Sequence, residues 1–384
     1  MTSTASVRSA SSSSSWPVSS PSSTTIVLAS IGGRVYRRDR PGIPVRVTRA
    51  GGITRRGRSR RFRYYDRDGR QISDRSVLDR IEALCVPPAW KDVWISPRPK
   101  AKLQAVGVDS AGRRQYLYHP EYRARQEQAK YDKLIRFAER LPDLRQAMAD
   151  HIEDDAAGVE RVAAIALRLI NLGWFRVGSE RYAKQSRTFG ITTLRKRHVA
   201  VRGSRIAFRF RAKRGLQVHT AIVDADVATA MRQLLALDGG TRLFRYERDG
   251  ELLPLTSHKL NDYIRTHLGA EFTAKDFRTW GGTLVAAIAF AEHGPVEGAG
   301  EQKRAVAAVM RKVGKQLGNT PAVARASYVS PAVVEQYLDG RTIEDFRPSH
   351  LRVVGAHDIA LDVEERSLLS LLRSWRIRAS RKAA

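Results

Sequence analysis

The apolar positions of this chain change period several times. Val77, Ile81 and Leu84 recur at helical spacing from about Ser76 until Pro87-Pro88 breaks the run. Short strand-like stretches follow at Val93-Trp94-Ile95, Leu103 to Val108 and Gln115 to Tyr118, with Asp109-Ser110-Ala111-Gly112 as a hairpin loop between the last two. Glu121 to Arg140 reads as a helix that Leu141-Pro142-Asp143 ends. The pattern predicts a small β-rich amino-terminal domain over residues 51–142.

From residue 143 the period is mostly helical. Val159 to Leu172 places apolar residues at 162, 165, 166, 169 and 170, and Gly173 is a stop signal. A three-strand meander then interrupts: His198 to Val201, Arg205 to Arg211 and Leu216 to Val223, joined at Gly203-Ser204 and Arg214-Gly215. In its middle strand Ile206, Phe208 and Phe210 alternate with Arg205, Ala207, Arg209 and Arg211, so one face is apolar and the other mainly basic. Helices resume at Asp226, near Ser257, near Thr273 and from about Glu301 to Leu317. Residues 143–345 form the larger, mainly helical domain, and 346–384 add a helix and a basic tail from Arg373 to Lys382. The fold class expected is α+β.

Residues 1–50 show neither period. They are rich in Ser, Thr, Arg and Gly and read as a disordered tail. The first acidic residue is Asp39, which loosely resembles an organellar transit peptide, but no signal-peptide core is present. The apolar runs fall short of a membrane span, so a cytoplasmic location is expected.

Charge changes the picture most. The 384 residues carry 68 Lys and Arg against 39 Asp and Glu, a formal +29. Self-repulsion of that size points to an anionic polymer as partner, and nucleic acid is the first candidate. The single cysteine, Cys85, excludes an intramolecular disulfide framework and fits a reducing compartment. Within Ala83-Leu84-Cys85-Val86 it reads as a small buried residue. No Gly-x-x-x-x-Gly-Lys-Ser/Thr, His-Glu-x-x-His or Cys-x-x-Cys occurs, so neither an ATP site nor a zinc site is expected. Asp224-Ala225-Asp226 could hold Mg²⁺, although Asp226 reads better as a helix cap. No metal or cofactor is expected, which leaves the chemistry to organic side chains.

Four segments stand out: Phe175 to Tyr182, Phe208 to Gly215 with Lys213 at a hairpin tip, Phe272 to Trp280, and Leu317 to Pro321 followed by Ala326-Ser327-Tyr328-Val329. Thr273 and Asp276 fit a capping pair, and Lys275 and Arg278 share a helix face. Thr320-Pro321 and Ser330-Pro331 open two short helices and leave Tyr328 at their junction.

Taken in order, these segments resemble the poxvirus-like, bacterial branch of the type IB DNA topoisomerases. So do Pro87-Pro88-Ala89-Trp90, Val93-Trp94-Ile95 and Gly112-Arg113-Arg114-Gln115-Tyr116. The resemblance implies a C-shaped clamp around DNA and ATP-independent relaxation of supercoils of both signs. It assigns Tyr328 as the nucleophile that forms a 3′-phosphotyrosyl bond. Arg176 and Arg278 match the arginines on the non-bridging oxygens, where guanidinium forks meet the developing charge. Lys213 matches the general acid for the 5′-oxygen, and Lys275 a supporting basic contact. Gln115, Tyr116 and Tyr182 match DNA-binding positions. Asn319 stands where poxvirus and eukaryotic members have histidine; its amide can donate a hydrogen bond but cannot move a proton. A monomer is expected.

Two alternatives remain on the residues alone. A tyrosine recombinase would share the catalytic fold, but usually carries His-x-x-Arg where this chain has Lys275-Asp276-Phe277-Arg278. A DNA-binding protein that had lost activity would keep the fold without the intact Arg176, Lys213, Arg278 and Tyr328.

Overall fold

The computed structural model describes residues 51–58, 61–154, 158–347 and 359–383. The tail expected over residues 1–50 lies outside them. The chain folds around two hydrophobic cores, one in an amino-terminal sheet and a larger one among helices.

The sheet has five antiparallel strands in the order β2-β1-β3-β4-β5. They are β1 (Ile53–Arg56), β2 (Arg63–Tyr65), β3 (Lys91–Ile95), β4 (Leu103–Val108) and β5 (Arg114–Tyr118). Helix α1 (Arg75–Ala83) begins at Asp74, whose carboxylate accepts the N–H groups of Ser76 and Val77. Ile53, Ile81, Trp90, Val93, Ile95 and Ala105 form the core. A Cβ at Gly107 would lie 2.7 Å from the Trp90 ring, so only glycine lets the indole close over β4. The strands expected at Val93, Leu103 and Gln115 are all present, whereas β1 and β2 occupy an arginine-rich stretch without a strand signature. Cys85 is exposed rather than buried, at φ +47° just past α1.

Helix α2 (Pro120–Glu153) runs straight through Pro142, where the sequence predicted a stop. Proline removes one ladder hydrogen bond at an interior position. Phe137, Ala138, Leu141, Leu144 and Met148 are all fully buried, and full burial is worth about 1.5–3 kcal/mol for each large apolar side chain. Packing against its neighbours therefore outweighs the break.

Helix α3 (Val159–Gly173) buries the predicted positions 162, 165, 166, 169 and 170. After α4 (Glu180–Gln185), the meander forms as β6 (Val199–Arg202), β7 (Arg205–Arg211) and β8 (Gln217–Val223). Ile206 pairs with Ile222, Phe208 with Thr220 and Phe210 with Val218. The apolar face of β7 meets Phe175, whose ring lies 5.0 Å from Phe208 and 6.1 Å from Phe210.

Helix α5 (Ala225–Ala236) is capped by Asp224, which accepts the Val227 N–H, and not by Asp226. Asp224 also pairs with Arg168 at 3.2 Å. A hairpin of β9 (Arg245–Arg248) and β10 (Glu251–Pro254) follows, then α6 (Ser257–Leu268), α7 (Ala274–His293), α8 (Ala299–Leu317), α9 (Pro321–Ser327) and α10 (Pro331–Leu338). The basic residues from Arg373 to Lys382 are not a tail but the end of α11 (Val363–Ala383). Glu365 of α11 is buried and accepts both terminal nitrogens of Arg145 on α2, at 2.7 and 2.9 Å, and the Trp280 indole N–H at 3.1 Å. That buried network fastens the last helix to α2 and α7.

Candidate active site

Arg176 follows the end of α3. Gly173 ends the helix and Trp174 turns the chain in the left-handed region, at φ 49° and ψ 33°. Phe175 then plugs into the apolar face of β7 and points the next residue the other way. The Arg176 main chain is fastened by a neighbouring strap: Ile191 N–H donates to its carbonyl at 2.9 Å, and Thr192 N–H to that of Val177 at 2.7 Å. A Cβ at Gly190 would fall 2.5 Å from the Arg176 carbonyl oxygen, so the strap needs glycine there. The guanidinium donates from Nη2 to the carbonyl of Gly318 at 2.9 Å and to Asn319 Oδ1 at 2.8 Å.

Arg278 lies in the second turn of α7. Thr273 and Asp276 form the expected capping box, with Asp276 Oδ2 accepting the Thr273 N–H at 2.8 Å. The Arg278 side chain is buried, 5% exposed. It donates to the carbonyl of Trp174 and, from Nη2, to that of Leu317 at 2.8 Å. Its Nε is buried with no hydrogen-bond partner in the protein. Both arginines are thus held by main-chain carbonyls at helix C-termini, where the helix leaves acceptors over and cations are favoured.

Tyr328 caps α9 and is half-buried. Its ring sits 5.1 Å from the Arg278 guanidinium carbon. A Cβ at Gly282 would lie 2.9 Å from Tyr328 Cβ, so the glycine in α7 lets the tyrosine backbone approach. Burial raises the phenol pKa, but the charges of Arg278, Arg176 and Lys275 together bring it below its ordinary 10. Burial, Arg278 and Arg214 push the Arg176 guanidinium down, to about 9, with Tyr328 pulling the other way. Cations crowded out of water against a half-buried phenol make a place suited to an anion.

The structure therefore brings Arg176, Arg278, Tyr328 and Asn319 together. Asn319 accepts from Arg176 and donates from Nδ2 to the Leu317 carbonyl at 3.2 Å. Lys213 is exposed in a tight turn between β7 and β8, where Arg214 adopts φ 65°. A Cβ at Gly318 would lie 2.5 Å from Leu216 Cδ2, so this turn rests on the end of α8 beside the two arginines. Lys275 is exposed at the start of α7, near enough for its charge to act on Tyr328.

The remaining predicted positions stand apart. Gln115 is buried on β5, and its amide donates to Asp109 Oδ2 at 2.8 Å, bracing the hairpin loop. Tyr116, half-buried, stacks with Tyr118 at 6.3 Å, and Tyr118 meets Tyr122 at 5.5 Å. Tyr182 is half-buried on α4.

Sequence reasoning missed the supports of the site. Trp174 and Gly318 give carbonyls, which no side-chain motif announces. The adjacent Gly281 and Gly282 in the middle of a long helix were a readable signal. A Cβ at Gly281 would lie 2.3 Å from the Trp174 indole nitrogen, so this pair admits Trp174 on one side and Tyr328 on the other.

Residues 119–346 match the family model for the catalytic core of eukaryotic DNA topoisomerase I, and residues 61–109 that for the N-terminal domain of bacterial DNA topoisomerase IB. The chain is 32% identical over 294 residues to the DNA topoisomerase 1B of Acanthamoeba polyphaga mimivirus, an overlap covering 74% of this chain and 87% of the viral one. Identity to the DNA topoisomerase 1B of Vaccinia virus (strain Copenhagen) is 21% over 240 residues, or 62% and 73% of the two chains. For the DNA topoisomerase 1 of Rabbit fibroma virus (strain Kasza) it is 24% over 241 residues, 61% and 72%.

Proposed function

The chain belongs to the type IB DNA topoisomerases, and on that premise we propose that it relaxes positive and negative supercoils through a transient single-strand break at Tyr328. It does so without ATP or metal, as a cytoplasmic, nucleoid-associated monomer. The five-stranded sheet and α1, within residues 51–142, serve as the DNA clamp, and the helical core from α2 onward as the catalytic part. No helix among the described residues is long and apolar enough to cross a membrane.

The observation that carries this reading is the convergence of Arg176 and Arg278 on Tyr328, with the phenol pKa brought down by their charges. Tyr328 Oη attacks the phosphorus as the P–O5′ bond breaks, leaving a 3′-phosphotyrosyl link and a 5′-hydroxyl. The phenol gives up its proton to water, and Lys213 gives one to the leaving O5′. The Nε of Arg278 offers a donor in a desolvated site to the non-bridging oxygens, which gain charge as the phosphorane forms. Asn319 fixes Arg176 through Oδ1, and its second amide N–H is left to reach the same phosphate. The phosphotyrosine keeps the bond energy, so the 5′-hydroxyl can reverse the reaction after the duplex has turned. Lys275, Gln115, Tyr116 and Tyr182 contribute to DNA binding, Gln115 through the loop it braces.

Supercoiled plasmid incubated with the protein in EDTA without ATP tests the reading. Relaxation by the wild type and none by Tyr328→Phe is the expected result. Relaxation by both would remove Tyr328 as nucleophile, and relaxation by neither at low and moderate salt would overturn the catalytic reading.

A further inference from the structure

The Tyr328 main chain is held from two directions. On its carboxyl side, Thr283 Oγ1 receives the Ser330 N–H at 3.1 Å and shares its single proton between the Thr279 carbonyl at 2.8 Å and the Tyr328 carbonyl at 3.1 Å. On its amino side, the carbonyl of Ser327 accepts from Lys130 Nζ at 2.6 Å. That carbonyl and the Tyr328 nitrogen belong to one planar peptide unit, so fixing the oxygen fixes the plane from which the Tyr328 Cα departs.

Lys130 lies 197 residues earlier in the chain, on α2. It is only 9% exposed, and its ammonium sits 4.2 Å from the Tyr131 ring centroid and donates to the Tyr131 hydroxyl at 3.0 Å. Ser327 is the last residue of α9, so its carbonyl is one that the helix itself leaves over. A cation is the favoured partner at that end of a helix. One turn further along α2, Lys133 donates to Asp276 Oδ2 at 2.9 Å and to the Glu271 carbonyl at 2.7 Å, at the start of the helix that carries Arg278. A single helix that starts just after β5 thus reaches both the nucleophile and the element bearing one of its arginines.

We infer that Lys130 is a positioning residue for Tyr328, setting the peptide plane that aims the phenol at the scissile phosphate. The inference rests on the reading of Tyr328 as nucleophile. Its effect falls on the rate of attack and leaves DNA affinity alone, because Lys130 itself is turned inward. Misplacing a reacting group by about 1 Å can cost about 100-fold.

The test uses the full chain and a duplex whose leaving 5′-hydroxyl fragment is short enough to dissociate, so that the covalent adduct accumulates in a single turnover. Lys130→Met is expected to slow adduct formation by about 10- to 100-fold with unchanged DNA affinity. Lys130→Arg, which can still donate to the Ser327 carbonyl, restores most of the rate. The slow step persists on a substrate with sulfur as the 5′ bridging atom, since the defect lies in attack and not in leaving-group protonation. Adduct formation by Lys130→Met at the wild-type rate, or a loss confined to DNA affinity, overturns the inference. If Lys130→Met melts below the assay temperature, Lys130→Gln is read by the same criteria. A wild type that forms no adduct overturns the nucleophile assignment instead.

Discussion

The cations assigned to the site rest on two different kinds of support. Arg278 and Arg176 are held by carbonyls at the ends of α3 and α8, and Arg278 is almost wholly buried. Lys213 stands exposed on a three-residue turn between two strands. The arginines are fixed by the same packing that holds the helices together, so site and fold share their interactions. The lysine side chain is exposed and lies outside the core. An electrostatic stabiliser must be in place before charge develops, whereas a proton donor has only to arrive by the time the leaving group departs.

Arg278→Gln is the strongest way to break this contrast. It should slow cleavage by about 10²–10³-fold and also lower the melting temperature, because the Trp174 and Leu317 carbonyls lose a charged donor. Each buried acceptor left unpaired costs about 1–3 kcal/mol. It should shift the pH–rate profile as well. Arg278 is the foremost cause of the lowered phenol pKa, so without it the pKa rises and the alkaline rise in cleavage rate moves to higher pH. A titrated single-turnover series would show no such movement if Tyr328 were not the titrating group.

Lys213→Ala should cost about 100-fold in cleavage and leave the melting temperature unchanged. Sulfur in place of the bridging 5′ oxygen, a leaving group that needs no proton, should recover most of that loss. Failure of the sulfur substrate to recover it would remove Lys213 from the role of acid. Asn319→Ala should slow cleavage by about tenfold, the worth of one hydrogen bond to a charged group, because Arg176 keeps its second partner at Gly318. Lys275→Gln is the mildest probe, with a small upward shift of the phenol pKa and little change in maximal rate. Lys275 is exposed and acts on Tyr328 only through its charge.

How much of this was legible in the sequence follows the same division. The meander, the buried face of α3, the capping box before Arg278 and the junction at Tyr328 all rest on local signals. Alternation, helical period, Thr273 with Asp276, and Thr320-Pro321 each act within a few residues. What was lost depends on packing across the fold. Pro142 reads as a helix end until Phe137, Leu141, Leu144 and Met148 are seen buried on one face. Strands β1 and β2 are too rich in arginine to show a pattern. They stay in the sheet partly because Arg55 donates to the carbonyls of Pro87 at 3.1 Å and Trp90 at 2.7 Å. The β9–β10 hairpin did carry a local sign in Asp249-Gly250, both at positive φ. The sequence pointed to Asp226 as the cap, and the helix register gives that place to Asp224. Within the site, the residue types were readable and their sockets were not. Lys130 meets Ser327 at a sequence distance that no motif spans.

A carboxylate holding an arginine can be deleted by one codon, lost at low pH, or made to compete with the phosphate for the guanidinium. A peptide carbonyl has none of these liabilities: every residue type supplies it, and it has no protonation state. What specifies the pocket is then where two helices stop. Trp174 and Gly318 both adopt left-handed geometry, at φ 49° and φ 61°. They act as punctuation, and the pocket is written in that punctuation as much as in the residues it contains.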